Sequence, residues 1–209
     1  MYVLIAVLPD LRNDPRSRTV ARRVLHTFDP ARQRRHIEQR LELADTTDNR
    51  RALAEECLRL GDYANAVELY RSILKGIYAT EPLFMLGLAE AQAGTTDYAG
   101  ARATLDTLIQ THPEFRSSDG HLLYARCLEN LGEHDAALNE YEALSRSYPG
   151  EQARFRYASL LCKRDRRDDA RVVFNDMLKR ARLAPRYYRR KEREWLDAAK
   201  RELSSLEAG

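Results

Sequence analysis

The chain has 209 residues, enough for one extended domain with a continuous core, and its 44% hydrophobic and 32% charged residues place it among ordered, water-compatible chains. The formal charge is only +3, which argues against a general DNA-binding protein, and strand signals are sparse: no Asn-Gly or Asp-Gly turn separates alternating runs. Cys57, Cys127 and Cys162 show no CxxC spacing and read as buried core thiols of a reducing compartment.

Residues 1–9, MYVLIAVLP, are almost wholly apolar. A run this short cannot span a bilayer, which needs about 20 residues. It also lacks the positive leading region and small-residue cleavage site of a signal peptide. Two readings of residues 1–10 remain: a leading strand or helical turn that packs on the domain, or the tail end of a transmembrane helix that begins before Met1. Between residues 11 and 40 stand nine arginines, among them Arg12, Arg16, Arg18, Arg22 and Arg23, against three acids. That tract is formally +6, so the remainder of a +3 chain sums to −3. Arginines directly after an apolar run fit the cytoplasmic side of a membrane and can hold anionic head groups. Within residues 11–46, Asp29-Pro30 forms an N-cap signal. The helix it opens is expected to run to about Ala44, with Ile37, Leu41 and Ala44 on one face.

Beyond residue 46 one pattern recurs. Ala66/Tyr70/Ile73, Ala101/Leu105/Leu108, Ala137/Tyr141/Leu144 and Ala170/Phe174/Met177 each set an alanine four and then three residues before larger apolar side chains, on one helical stripe. Turn signals precede three of these alanines: Gly61-Asp62-Tyr63, Gly94 with Asp97-Tyr98, and Gly132-Glu133-His134. Leu53-Ala54, Leu86-Gly87 and Tyr124-Ala125 recur seven to eight residues before the glycines and allow two helices to approach closely. Pro113 and Pro149 stop second helices. With this phasing the chain resembles a tetratricopeptide repeat (TPR) protein, whose unit is a helix-turn-helix of about 34 residues. Four units are expected within residues 47–184, at 47–80, 81–115, 118–150 and 151–184. The fold class is all-α, a superhelical αα-solenoid with capping helices at both ends. Departures from the pattern are two extra residues, Thr95 and Thr96, at the turn of the second unit, and Asp165 in place of glycine in the fourth.

Residues 185–209 form the expected C-terminal cap, one helix from Pro185 to about Leu206 carrying Tyr188, Trp195, Leu196, Ala199 and Leu203. Its start is basic: residues 179–193 hold eight cations, including Arg186, Arg189 and Arg190, against the single acid Glu192. This stretch reads either as a solvated helix face, as a surface for acidic protein or lipid, or as a nucleic-acid contact.

The resemblance implies that first helices line a concave groove. The positions facing it would be Asp48, Arg51, Glu55 and Arg59, then Glu81, Phe84, Leu88 and Gln92. The third and fourth units would add Asp119, Leu122, Arg126, Asn130, Gln152, Phe155, Ser159 and Lys163. Phe84, Leu122 and Phe155 share one repeat position and are expected to form an apolar ladder for a partner peptide, flanked by Arg51, Arg126 and Lys163. The ladder has a rival occupant in the chain's own termini. Glu55, Met85, Asp119 and Leu123 stand where a carboxylate clamp for chaperone tails would need other residues, which disfavours that function. The run YVLIAVLPDLR, with the arginine-rich linker and the repeats, is also similar to bacterial proteins in which a membrane segment like that of the phospholipase D nuclease N-terminus precedes TPRs. That similarity implies an inner-membrane anchor and no phospholipase activity, since no histidine is followed two places later by lysine.

No phosphate loop, nucleophile elbow or metal-ligand spacing occurs, so the expected function is non-catalytic, without cofactor or metal. The partner is an unidentified protein or peptide, with an anionic membrane surface as a further contact. The expected place is the cytoplasmic side of a bacterial inner membrane, or otherwise the cytoplasm. The alternatives are a self-associating structural protein, a homo-oligomer through its capping helices, and a nucleic-acid module using the basic C-terminal helix.

Overall fold

A computed structural model describes residues 32–208 of the chain. The apolar stub at 1–10, the tract up to residue 31 and the Asp29-Pro30 cap lie outside the described residues. Among the described residues the secondary structure is helical throughout. An N-terminal helix α1 (Arg32–Leu43) precedes four pairs: α2 (Thr47–Leu60) with α3 (Tyr63–Ile73), α4 (Pro82–Gly94) with α5 (Tyr98–Thr111), α6 (Ser118–Asn130) with α7 (His134–Ser147), and α8 (Gln152–Lys163) with α9 (Arg167–Leu183). A short 3₁₀ turn, Gly76–Tyr78, joins the first two pairs, and α10 (Arg186–Lys191) and α11 (Arg193–Ala208) close the chain. Each second helix packs on the first helix of its own pair and on the first helix of the next. The architecture is an all-α, TPR-like solenoid.

The alanine stripes are its seam. Ala66, Ala101, Ala137 and Ala170 are fully buried, and the larger members of each stripe, from Tyr70 and Ile73 to Phe174 and Met177, are buried with them. The first helices answer with small residues of their own: Ala54, Ala89, Ala125 and Ala158 are likewise without solvent contact. Small side chains on both sides let paired helix axes approach, and the aromatic or branched residue a turn later fills the wedge between repeats.

The turns correct one expectation. Gly61 and Gly132 adopt the left-handed conformation, but Gly94 is the last residue of α4, and the positive φ of the second pair belongs to Thr96, at 64°. In the fourth pair Asp165 takes this role, at 60°. The left-handed residue therefore stands five positions before each alanine, and Thr95 and Thr96 are part of the regular turn and not an insertion. Gly94 is required for another reason: a Cβ there would run into the ring of Tyr63, which packs across from α3. Aspartate tolerates the left-handed region, whereas a β-branched residue is strained in it.

Both ends are covered. Ile37 of α1 is buried against the first pair. Asn49 ties the helices together by donating to the carbonyls of Arg40 and Ala44, at 3.2 and 2.8 Å, while accepting from Arg40 at 2.7 Å. At the far end Leu196 and Ala199 of α11 are buried, and Ala199, Leu203 and Leu206 join the cluster that runs from α6 to α9. The cap is two helices, broken at Glu192, where one was expected. Glu192 turns inward, and its carboxylate accepts from the backbone N–H of Glu151 at 2.9 Å, so it caps the start of α8. The hydroxyl of Tyr188 donates to Glu151 Oε1 at 2.7 Å. Gly150 makes room for this contact, because a Cβ there would lie 3.0 Å from a Glu192 carboxylate oxygen.

Replacing Thr96 by glycine removes left-handed strain at an exposed turn and is expected to stabilise the fold by about 1 kcal/mol. Urea unfolding checks this, with a midpoint that rises while the slope stays constant.

Candidate functional site

The first-helix face differs from the expected ladder. Phe84, Leu88 and Leu122 are buried: Phe84 and Leu88 pack in the first core cluster, with the Tyr78 ring 5.8 Å from Phe84, and Leu122 lies in the third-and-fourth-repeat core. Phe155 is partly buried, with Phe174 of α9 6.0 Å away and the Trp195 ring of α11 5.5 Å away. These four side chains are scaffold packing. At the fourth repeat the rival occupant named from the sequence, the C-terminal helix, fills the position.

What the first helices present outward is mainly polar, although Leu83 of α4 is also 58% exposed. On α2, Arg51 and Glu55 form an i,i+4 pair at 3.6 Å, and the Arg51 Nε atom is shielded without a hydrogen-bond partner. Along the middle of the face lie Glu90 on α4 and Asp119, Arg126 and Glu129 on α6. Loss of hydration and the neighbouring Asp119 hold the Glu90 carboxyl above its ordinary range, with Arg126 opposing. Arg126 makes no ion pair among the described residues, and Asp119 accepts from the Tyr148 hydroxyl at 2.9 Å.

Glu129 is the electrostatic centre of this face, although no motif in the sequence marks it. Its side chain is 12% exposed and gathers Lys163 Nζ at 2.7 Å, the Tyr141 hydroxyl at 2.9 Å and Arg156 at 3.9 Å. Burial raises its pKa, but the hydrogen bonds from Lys163 and Tyr141 and the charge of Arg156 outweigh it and hold the carboxyl below the usual range. Arg156 also lies 6.0 Å from the Trp195 ring centre, so the guanidinium links the third repeat to the cap. Lys163, expected as a groove cation, is thus committed to Glu129, and Arg51 and Arg126 are the cations left to contact a partner. The spacing of Glu129 from Lys163, one repeat length, is the signal the sequence held.

A second recess, of about 540 Å³, lies between α5, the α5–α6 loop and α7. Its floor is apolar, with Leu105, Leu108, Phe115 and Tyr124, and at its rim His121 meets Glu140 at 2.6 Å. The basic residues expected at the C-terminal end are exposed: Arg186, Arg189 and Arg190 fall on one side of the short helix α10, which is anchored through Tyr188. Arg12, Arg16, Arg18, Arg22 and Arg23 lie outside the described residues. The cysteines are free thiols, and burial pushes that of Cys127 up to about 11, which keeps it protonated and unreactive. Among the described residues no group of side chains is arranged to hold a metal ion, and no helix is long and apolar enough to cross a membrane.

The fold defines the class, a helical solenoid of TPR type. Residues 97–155 match the tetratricopeptide repeat model, from the second turn to the start of α8. No curated protein sequence matches the chain significantly. Among solved structures, the chain is similar to MamA from Desulfovibrio magneticus RS-1, with 14% identity over 79% of this chain and 93% of that one and a TM-score of 0.65. It is also similar to TTC0263, a thermophilic TPR protein in Thermus thermophilus, with 20% identity over 85% and 94% and a TM-score of 0.57. A third relative is YrrB, described as a TPR protein with an unusual peptide-binding site, with 14% identity over 66% and 71% and a TM-score of 0.54. At these identities the likeness is one of fold.

The depressed pKa of Glu129 carries a sign. Its stabilisation is present above the unfolded-state carboxyl range and is lost as the pH falls through the lower, folded-state value. Glu129→Gln is therefore expected to cost about 1–2 kcal/mol at pH 7. In urea titrations at several pH values, the gap between variant and parent should shrink steadily as the pH is lowered through the acidic range.

Proposed function

We propose that the chain is a non-catalytic interaction scaffold that receives an extended or helical segment of a partner protein on its first-helix face. The observation that carries this reading is the character of that face. Most of its apolar side chains are spent on packing, while Arg51, Glu55, Glu90, Asp119 and Arg126 are held outward on a rigid frame, with Arg126 in no ion pair among the described residues and Arg51 incompletely bonded. A preformed surface of fixed charges sets partner register and costs little ordering on the scaffold side. The partner suited to it is a segment of mixed charge, with carboxylates meeting Arg51 and Arg126 and a cation meeting Glu90 and Asp119. YrrB, of the same fold, is a TPR protein with a peptide-binding site by its own description, which supports this kind of use.

The proposal includes a tether. The apolar run at 1–9 followed by the +6 tract, together with its likeness to membrane segments that precede TPRs, supports placement on the cytoplasmic side of a bacterial inner membrane.

Arg51→Glu with Arg126→Glu reverses the two available cations at exposed or half-exposed positions. The intact chain is expected to retrieve a protein from a bacterial extract, and the double variant to lose it, with circular dichroism and urea midpoint essentially unchanged. Equal retrieval by a well-folded double variant contradicts the reading.

A further inference from the structure

The exposed cations of the C-terminal hook stand apart from all other charge in the described structure. Elsewhere, arginines and lysines are mostly matched by carboxylates within the same helix or the next one, as in Arg34 with Glu38 and Asp62, Arg166 with Asp169 and Arg171 with Asp168. Between Lys179 and Arg193 this matching fails. Arg180 pairs with Asp176 and Arg193 with Asp197, but Lys179, Arg182, Arg186, Arg189, Arg190 and Lys191 have no carboxylate partner among the described residues. The one acid of the stretch, Glu192, has turned inward to cap α8. The outward surface is consequently all cationic.

The same anchoring sorts the aromatic pair. Tyr188 points inward to Glu151, which turns its neighbour Tyr187 out to 74% exposure. One helical end away, Leu183 is 84% exposed. Arg186, Tyr187, Arg190 and Lys191 line one shallow recess at this corner. The exposed Tyr187 among Arg186, Arg190 and Lys191, with the exposed Leu183 three residues before Arg186, fits the layered chemistry of a bilayer surface. Phosphate groups lie at the level of the guanidinium and ammonium groups, and the acyl boundary lies where the Leu183 and Tyr187 side chains reach.

We propose that the hook formed by the end of α9 and by α10 is a docking surface for an anionic lipid bilayer, with Arg186, Arg190 and Lys191 on head-group phosphates and Leu183 and Tyr187 inserted between them. A single-stranded nucleic acid would satisfy the cations but would leave Leu183 without a role, and it would find only one outward ring to stack on. The proposed contact uses none of Arg51, Glu55, Glu90, Asp119 and Arg126, the residues assigned to the first-helix face. It is built from residues outside 1–31, so the sequence carries two basic segments, one before the first repeat and one after the last.

The test is cosedimentation of the full chain with phosphatidylcholine vesicles, with and without phosphatidylglycerol, at constant ionic strength. Binding is expected only with the anionic lipid and should weaken steeply with salt. Arg186→Gln with Arg190→Gln should reduce partitioning about 20-fold or more, since each surface cation contributes on the order of five-fold. Leu183→Ser with Tyr187→Ser should reduce partitioning while leaving its salt dependence in place. All four positions are exposed, and the emission of Trp195, the chain's one tryptophan, reports whether the cap stays docked. Both double variants are also made in a chain whose Arg12, Arg16, Arg18, Arg22 and Arg23 are replaced by glutamine, and unchanged partitioning of both in that background overturns the proposal. So does a hook that, in competition, prefers a single-stranded oligonucleotide to the anionic vesicles.

Discussion

A helical pair of this kind can bury only one of its two apolar sides within itself; the other side must be covered by the next pair or by a cap. Everything else in the molecule follows from that requirement. The fully buried alanines, Ala66, Ala101, Ala137 and Ala170, bring the two helices of each pair close, and the larger residues of each stripe reach across to the following first helix. After the fourth pair, among the described residues, the same wedge of Ala170, Phe174 and Met177 is closed by α11 through Leu196 and Ala199. The break at Glu192 is the local cost of turning the chain back far enough to do this. It is offset by two hydrogen bonds to Glu151, one from its backbone and one through Tyr188.

Because packing takes most apolar side chains of the first helices, the first-helix face left for recognition is mainly polar and charged. The first-helix face carries alternating carboxylates and guanidinium groups, organised around Glu129 and its two cations. The C-terminal hook carries cations without outward carboxylates, together with the exposed side chains of Leu183 and Tyr187. On the proposed reading, these two surfaces of different chemistry on one rigid frame hold a partner segment against a bilayer.

The repeat architecture was legible in the chain because each unit demands several residue types in fixed phase, and Ala66 to Ala170 kept that phase. The groove was less legible. Placing Phe84 and Leu88 on an open face assumed that α4 shows one side to solvent, yet its sequence, PLFMLGLAEAQAG, is apolar around most of its circumference, and such a helix is buried nearly all round. That signal was present and outweighed the repeat-position rule. Gly94 read as a turn residue because glycine more often serves turns than close contacts, while the strained Thr96 gave no sign of its role. The inward turn of Glu192 could not be read at all, since only the three-dimensional path of the cap brings it to the start of α8.

The central claim, that α11 is an integral layer of the solenoid and not an appended tail, is tested most directly by native-state hydrogen exchange followed by mass spectrometry across a denaturant series. Helices α8, α9 and α11 share one buried cluster, so their amides are expected to lose protection together at a single free energy, after α1 to α3 have opened. Loss of protection in α11 at distinctly lower denaturant, with α8 and α9 still protected, would contradict the account.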